Sequence, residues 1–391
     1  MNILLVKPHD NYPVAFEEAP SLALLTLGTL AENEGHIVHV LHMETDKVDI
    51  RKALTKYHPD ILGITCNTFQ VKNAKEIAQA GRKWSKDLKI VIGGPHAPAY
   101  DGVANDIVIG EGETRWLEII QSKVVLEDID DIPQLDYSLV NLDKFTGISP
   151  VGAVPSMSMM ASRGCPFNCS FCNTPVFWGK KVQYRDPRLV VDEINFLKGQ
   201  YGIKELFFQD DTFNLNQEWA EAIFNYIIEL ELNEQMIFKI CCRVNEKLFT
   251  QKFLDKARQA GVWNIFFGIE SGSQYMLDRM HKDITVDEIR RAVDMTHKAH
   301  INSQCSFIIG LPGETPQTIQ ETLDLINEIH PSSKGFCYAC PFPLTEHYNE
   351  ALENGYIIER PYEEYGYGLI YCRTDAMTHQ QLKTYEGLIY G

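Results

Sequence analysis

The sequence predicts an α/β protein made of two parallel-sheet domains in tandem. Short apolar runs alternate with amphipathic segments from the first residues to about position 340, the pattern of strands and helices taken in turn. Glycine and proline punctuate the ends of the apolar runs, as in Gly93-Gly94-Pro95 and Gly310-Leu-Pro-Gly313. The 391 residues, 45% hydrophobic and 23% charged, suit two or three cores and speak against disorder.

The first series gives strands at Ile3–Val6, Val38–Leu41, Ile61–Thr65, Lys89–Ile92 and Ile107–Ile109. Between them lie helices at Leu22–Glu34, Asp49–Tyr57 and Lys72–Trp84. Short parallel strands with crossover helices make an open, doubly wound, Rossmann-like sheet over residues 1–125. Residues 126–155, with the acidic run Glu127–Asp131 and then Pro133, read as a linker. The second series, residues 156–345, has strands at Ser156–Ser162, Glu205–Gln209, Ile237–Arg243, Asn264–Gly268, Asn302–Ile309 and Gly335–Ala339. Helices at Asp186–Gln200, Gln217–Leu230, Glu246–Ala260, Val286–Ala299 and Pro316–Ile329 separate them. Six such units fall short of a closed eight-fold barrel and predict a partial (β/α)6 barrel. Residues 346–391 form a short C-terminal extension rich in tyrosine (Tyr356, Tyr362, Tyr365, Tyr367, Tyr371, Tyr385, Tyr390), which either packs or lines a cavity.

Charge and cysteine usage narrow the function. The balance of 36 basic against 53 acidic residues gives a net charge of -17, which opposes nucleic acid and anionic membrane surfaces. The start MNILLVKP lacks the build of a signal peptide, and no apolar run is long enough for an integral membrane segment, so a cytoplasmic protein is expected. In a reducing compartment ten cysteines are not a disulfide framework, and Cys165, Cys169 and Cys172 fall within eight residues. They follow a strand, where barrels place their chemistry. Three thiolates at CxxxCxxC spacing suit three irons of a [4Fe-4S] cluster with the fourth left open; a zinc knuckle or three buried thiols are the competing readings.

The segment Met157–Asn214 resembles the radical S-adenosylmethionine (SAM) superfamily, and residues 1 to about 345 resemble its cobalamin-binding branch. The resemblance implies three cofactors: the cluster on Cys165, Cys169 and Cys172, SAM on the open iron, and cobalamin on the N-terminal sheet. For SAM it implies Phe171 beside the adenine, Gln209 with Asp210 and Asp211 at the second strand end, Arg243, Glu270, and Ser306 with Ile308. Arg243 offers a fork to a carboxylate, and Glu270 accepts from hydroxyls or an ammonium group. Simpler roles compete: Arg243 and Glu270 pairing with each other, or Asp210 or Asp211 capping the next helix.

For cobalamin the matching residues are Thr65, Thr68, Gly93, Gly94, Pro95, His96, Gly110, Glu111 and Gly112, the glycines letting backbone approach a bulky ligand. No DxHxxG motif occurs in the first 130 residues, and His96 is read as a loop or corrin-contact residue in preference to a cobalt ligand. A domain that keeps this fold without cobalamin is the competing reading. Lys7-Pro8 also departs from the Pro-Pro frequent in this branch.

The implied activity is methyl transfer to an unactivated carbon of a small-molecule or lipid-like substrate, through a 5'-deoxyadenosyl radical and methylcobalamin. A flavodoxin or ferredoxin type protein would donate the electron. Rearrangement, cyclisation or carbon-carbon coupling is the alternative within the family, and a non-catalytic corrinoid or iron-sulfur sensor the alternative outside it. Cys337, Cys340 and Cys372 are too few for the cysteine-rich modules that hold auxiliary clusters, and Cys241, Cys242 and Cys305 read as strand residues filling the barrel. The general acid or base is left unassigned.

Overall fold

A computed structural model describes residues 1–11, 19–145, 152–358, 360–366 and 368–390. The chain forms two compact units: residues 1–148 with 360–367, and residues 149–359 with 368–391.

In the first unit β1 (Asn2–Lys7), β2 (Ile37–His42), β3 (Ile61–Thr65), β4 (Lys89–Gly93) and β5 (Asp106–Ile107) form one parallel sheet in the order 2-1-3-4-5. Period-two alternation explains why it is covered on both faces. Leu4 and Val6 join Leu62, Ile64, Ile90 and Ile92 on one side, while Ile3 and Leu5 join Val38, Val40 and Trp116 on the other. Each such buried aliphatic side chain contributes roughly 1.5–3 kcal/mol. The strand order reverses between β1 and β3, which opens a crevice at the carboxyl ends. The expected fifth run, Ile107–Ile109, pairs only over Asp106–Ile107. Of the expected linker, Leu126, Leu139 and Val140 pack on this unit's core and Tyr137 is buried; residues 146–151 lie outside the described residues.

In the second unit β6 (Ser156–Met159) begins the barrel. The single strand expected over Ser156–Ser162 is instead broken: β7 (Ser162–Arg163) leaves the sheet to pair antiparallel with β8 (Gln183–Tyr184). Asp210 causes the break, its carboxylate accepting from Ala161 N and Ser162 Oγ. Then follow β9 (Glu205–Phe208), β10 (Ile237–Cys242), β11 (Val262–Glu270), β12 (Asn302–Ile309) and β13 (Ser333–Tyr338). With β6 they make a curled, six-stranded parallel sheet in the order 13-12-11-10-9-6, the partial barrel expected.

Helix Gln251–Gln259 starts later than the expected Glu246, because Thr250 caps it by accepting from Phe253 N at 3.2 Å. Along β12, Cys305, Phe307 and Ile309 are buried while Gln304, Ser306 and Ile308 stay partly open on the concave face. The expected extension divides. Ile370, Met377 and Leu382, with Tyr385 beside them, pack against Ile309 and Tyr338 in the barrel unit, whereas 360–366 belong to the N-terminal unit. Tyr367 lies outside the described residues, as does the Tyr390 side chain.

Candidate functional site

The cysteine loop leaves β7 through Gly164 at φ +95°, where a Cβ would meet Lys181 O at 2.4 Å, so only glycine makes the turn. Cys165, Cys169 and Cys172 are all partly exposed, and a turn from Cys172 N to Cys169 O brings two of them together at 3.1 Å. Donors face the sulfurs: Thr174 N lies 3.4 Å from Cys172 Sγ, Thr212 Oγ1 4.0 Å from Cys165 Sγ, and Arg243 Nη1 3.8 Å from Cys169 Sγ. Burial pushes the Cys165 and Cys172 thiols up. Among the described residues no histidine, cysteine or carboxylate group closes around a single ion. A cubane cluster takes each thiolate on a different iron and its sulfurs accept hydrogen bonds, which the three thiols and the donors facing them suit.

Arg243 follows β10 and is 8% exposed. Its guanidinium carbon sits 3.6 Å from the centroid of Phe167, Nε donates to Asn245 Oδ1 at 2.9 Å, and Nη2 donates to Lys282 O. Glu270 ends β11 at φ +69°, beside a register shift between Gly268 and Glu270. It pairs with Lys282, whose Nζ lies 3.0 Å from Oε1, both side chains 9% exposed. Arg243 and Glu270 therefore do not pair with each other, the arginine being held by Asn245 and a backbone carbonyl and the glutamate by a lysine.

Lys282 also stands 5.7 Å from the Phe171 ring centroid, which gathers Phe171, Glu270, Lys282 and Arg243 at one edge of the barrel mouth. Sequence reasoning missed Lys282. The signal available was indirect: a glutamate buried at a strand end requires a cation, and Arg279 and Lys282 are the next basic residues along the chain.

Gln209 is exposed at the end of β9. Asp210 is buried, and burial raises its carboxyl to about 7; Asp211 accepts from Thr174 Oγ1 at 3.0 Å. Neither aspartate caps the following helix, which Asn216 caps instead. Ser306 and Ile308 lie on the concave face, in register with Gly268 and Cys337 respectively. Lower down, Ser158, Phe207, Lys239 and Asn264 occupy one level of that face. Cys337 is exposed on β13, while Cys340 and Cys372 are buried.

In the N-terminal unit Thr65, Gly93 and Gly94 are partly exposed and Pro95 is exposed at the ends of β3 and β4. Gly94 takes φ +97°, and a Cβ there would lie 2.8 Å from Cys66 O. Gly110 (φ +81°), Glu111 and Gly112 form the open turn after β5. Thr68 and His96 are different. They are 3% and 0% exposed, joined at 3.2 Å through Nδ1, and burial followed by the charge of Lys75 pushes the imidazole down to about 4. The strand-end crevice with its glycine turns fits a bulky planar cofactor with a tail, and the buried, unpartnered His96 Nε2 adds one polar group beneath it.

No helix among the described residues is long and apolar enough to cross a membrane. The B12 binding domain family matches residues 14–120, and the Radical SAM superfamily matches residues 159–326. The chain is 29% identical to the uncharacterized methyltransferase PH0819 of Pyrococcus horikoshii, over 93% of this chain and 86% of that protein. It is 26% identical to the anaerobic magnesium-protoporphyrin IX monomethyl ester cyclase of Rubrivivax gelatinosus, over 85% of this chain and 65% of that one.

Among solved structures, the radical S-adenosylmethionine methyltransferase TsrM from Kitasatospora setae, with cobalamin and a [4Fe-4S] cluster bound, superposes with a TM-score of 0.71. That match has 22% identity and covers 90% of this chain and 74% of the other, a likeness of fold. With both models matched in this order, the chain carries a B12 binding domain followed by a Radical SAM superfamily domain.

Proposed function

We propose that this protein is a cobalamin-dependent radical SAM methyltransferase acting on a small molecule. The observation that carries the reading is the barrel mouth. There the cysteine triplet, Arg243, the Glu270–Lys282 pair and Phe171 stand together, in a chain whose N-terminal sheet has glycine turns at its carboxyl edge. When bound, the cluster with SAM supplies a hydrogen-abstracting radical and the corrinoid supplies a transferable methyl group.

The side chains do the positioning. Cys165, Cys169 and Cys172 hold the cluster, and Arg243 and Lys282 present cations suited to a carboxylate. Glu270 keeps an acceptor for ribose hydroxyls or an ammonium group. Phe171 and Ile308 offer apolar surface to a purine, with Ser306 beside them. The concave face sets Lys239, Asn264 and Gln304 beside Phe207 and Phe266, a mixed lining suited to a small molecule with both polar and apolar parts. On the N-terminal sheet, Thr65, Gly93, Gly94, Pro95, Gly110, Glu111 and Gly112 supply the open cobalamin contacts, with Thr68 and His96 behind them. A flavodoxin or ferredoxin type donor supplies the electron.

The test is anaerobic reconstitution with iron, sulfide and cobalamin, followed by metal analysis and incubation with methyl-labelled SAM and reductant. Four irons and one cobalt per chain, with deoxyadenosine formed and label passing to bound cobalamin, support the proposal. Iron and deoxyadenosine without cobalt would end the methyl-transfer reading. Ring closure is the second reading, favoured by the similarity to the anaerobic cyclase, and product analysis separates the two.

A further inference from the structure

The crevice of the N-terminal unit is completed by residues that the barrel separates from it along the chain. Residues 360–366 belong to this unit, and their short turn Tyr362–Glu364 packs on the turn Thr68–Gln70 and on helix Val71–Trp84. Three kinds of contact hold it. The Tyr362 ring meets His96 edge-on, with centroids 4.6 Å apart and planes at 76°, and Tyr365, 2% exposed, packs beside Tyr362 at 5.0 Å. Asn11 Nδ2 donates to the carbonyls of Tyr365 at 2.9 Å and Tyr362 at 3.3 Å. Lys75 Nζ lies 2.5 Å from both Glu363 Oε1 and Asp101 Oδ1, with its own side chain 17% exposed.

These contacts bear on the two strand-end turns. Thr68 opens the first, and His96 closes the turn after β4 by donating its backbone N–H to Cys66 O at 2.9 Å. Both side chains are buried, and His96 Nε2 is shut away from water without a partner. A ligand at the crevice thus meets Thr65, Gly93, Gly94 and Pro95, and the positions of those residues depend on what backs them. Tyr362 packs on His96, which closes the second of these turns. A turn held from behind loses less freedom when a ligand docks on its front, which slows the ligand's departure.

We propose that residues 360–366 are a strap of the corrinoid site, a binding element outside the contiguous N-terminal domain, which fixes the β3 and β4 turns and retains the cofactor. The inference rests on the corrinoid reading of this crevice. Glu363 is its ionic latch through Lys75, and Tyr362 its apolar one through His96.

The experiment uses the full chain with its cluster, loaded with radiolabelled cobalamin and chased with unlabelled cofactor. Tyr362→Ala and Glu363→Gln are each expected to raise the dissociation rate about tenfold. Asp101→Asn, which relieves the same lysine without touching the strap, is expected to change it less than about twofold. Unchanged iron content and cluster absorbance show that the barrel unit is intact in each variant.

Equal rates in wild type, Tyr362→Ala and Glu363→Gln would overturn the strap. So would an effect of Asp101→Asn as large as that of Glu363→Gln, which would place the effect in the lysine's charge. If the wild type with full iron retains no label, the corrinoid reading fails instead. Hydrogen exchange on the same cofactor-free chain then decides the strap: faster exchange of backbone amides at residues 66–71 in Tyr362→Ala supports it, and identical exchange removes it.

Discussion

The barrel mouth and the N-terminal crevice solve the problem of holding a cofactor in opposite ways. At the mouth charged and sulfur-bearing residues predominate, and the charged ones are held by neighbours: Arg243 by Asn245 and Phe167, Glu270 by Lys282, Asp211 by Thr174. At the crevice the open residues are mostly glycines and a proline, and the polar side chains His96 and Thr68 are turned inward. The first site is specified by chemistry and the second by backbone shape. A site built on charges fails when one charge is removed, whereas a site built on turns fails when a turn acquires a side chain.

That contrast sets the order of expected effects. The largest belongs to the triplet: Cys169→Ala leaves two of the thiolates and is expected to abolish SAM cleavage, a loss of at least about a thousandfold, with cobalamin content unchanged. If cobalamin were lost as well, the two sites would not be independent and the comparison would break.

Next is Lys282→Met, which strands the buried Glu270 carboxylate and is expected to cost about 3 kcal/mol in chemical denaturation of the barrel unit. The same change should weaken SAM binding measured by calorimetry. The double variant Lys282→Met with Glu270→Gln should recover most of the stability and none of the SAM binding, which separates structural from ligand-holding roles.

A pH test addresses Glu314, buried in the turn after β12, where burial raises the carboxyl to about 8 and Gly310 N–H donates to it. A raised folded-state value means that the carboxyl is neutral in the fold where the unfolded chain has already ionised. Its stabilising contribution is thus full below about 4.5 and is lost as pH rises toward 8. Glu314→Gln should therefore gain stability relative to wild type progressively across that interval and then level off.

The smallest effect is Gly94→Ala, at φ +97° with backbone 2.8 Å away. It is expected to cost about 1–3 kcal/mol in the N-terminal unit and to weaken cobalamin binding while leaving SAM cleavage intact. Equal damage to both activities would sink the division between a charged site and a shaped one.

The same contrast explains what was legible in the sequence. Both sheets and the cysteine loop could be read because each is local: alternation within five or six residues for β1 and β3, eight residues for the triplet. Arg243 and Glu270 were placed by their strand ends, yet their partners were not, since Lys282 reaches Glu270 from the far side of a helix and carries no motif of its own. The break between β6 and β7 was invisible because it depends on Asp210, which is distant in sequence. Residues 346–391 were read as one piece. Nothing in their tyrosine-rich composition says that Tyr365 serves one core and Tyr385 another.

The strap also has a consequence for biosynthesis. Domains usually fold as they leave the ribosome, amino terminus first. Here the N-terminal sheet emerges early, but His96 and Lys75 receive Tyr362 and Glu363 only after the entire barrel has been translated. A nascent chain halted within the barrel would carry a finished sheet with an uncovered histidine and a lysine lacking one of its two carboxylates. The order of synthesis thus gives this molecule a natural interval in which the crevice turns are least firmly held.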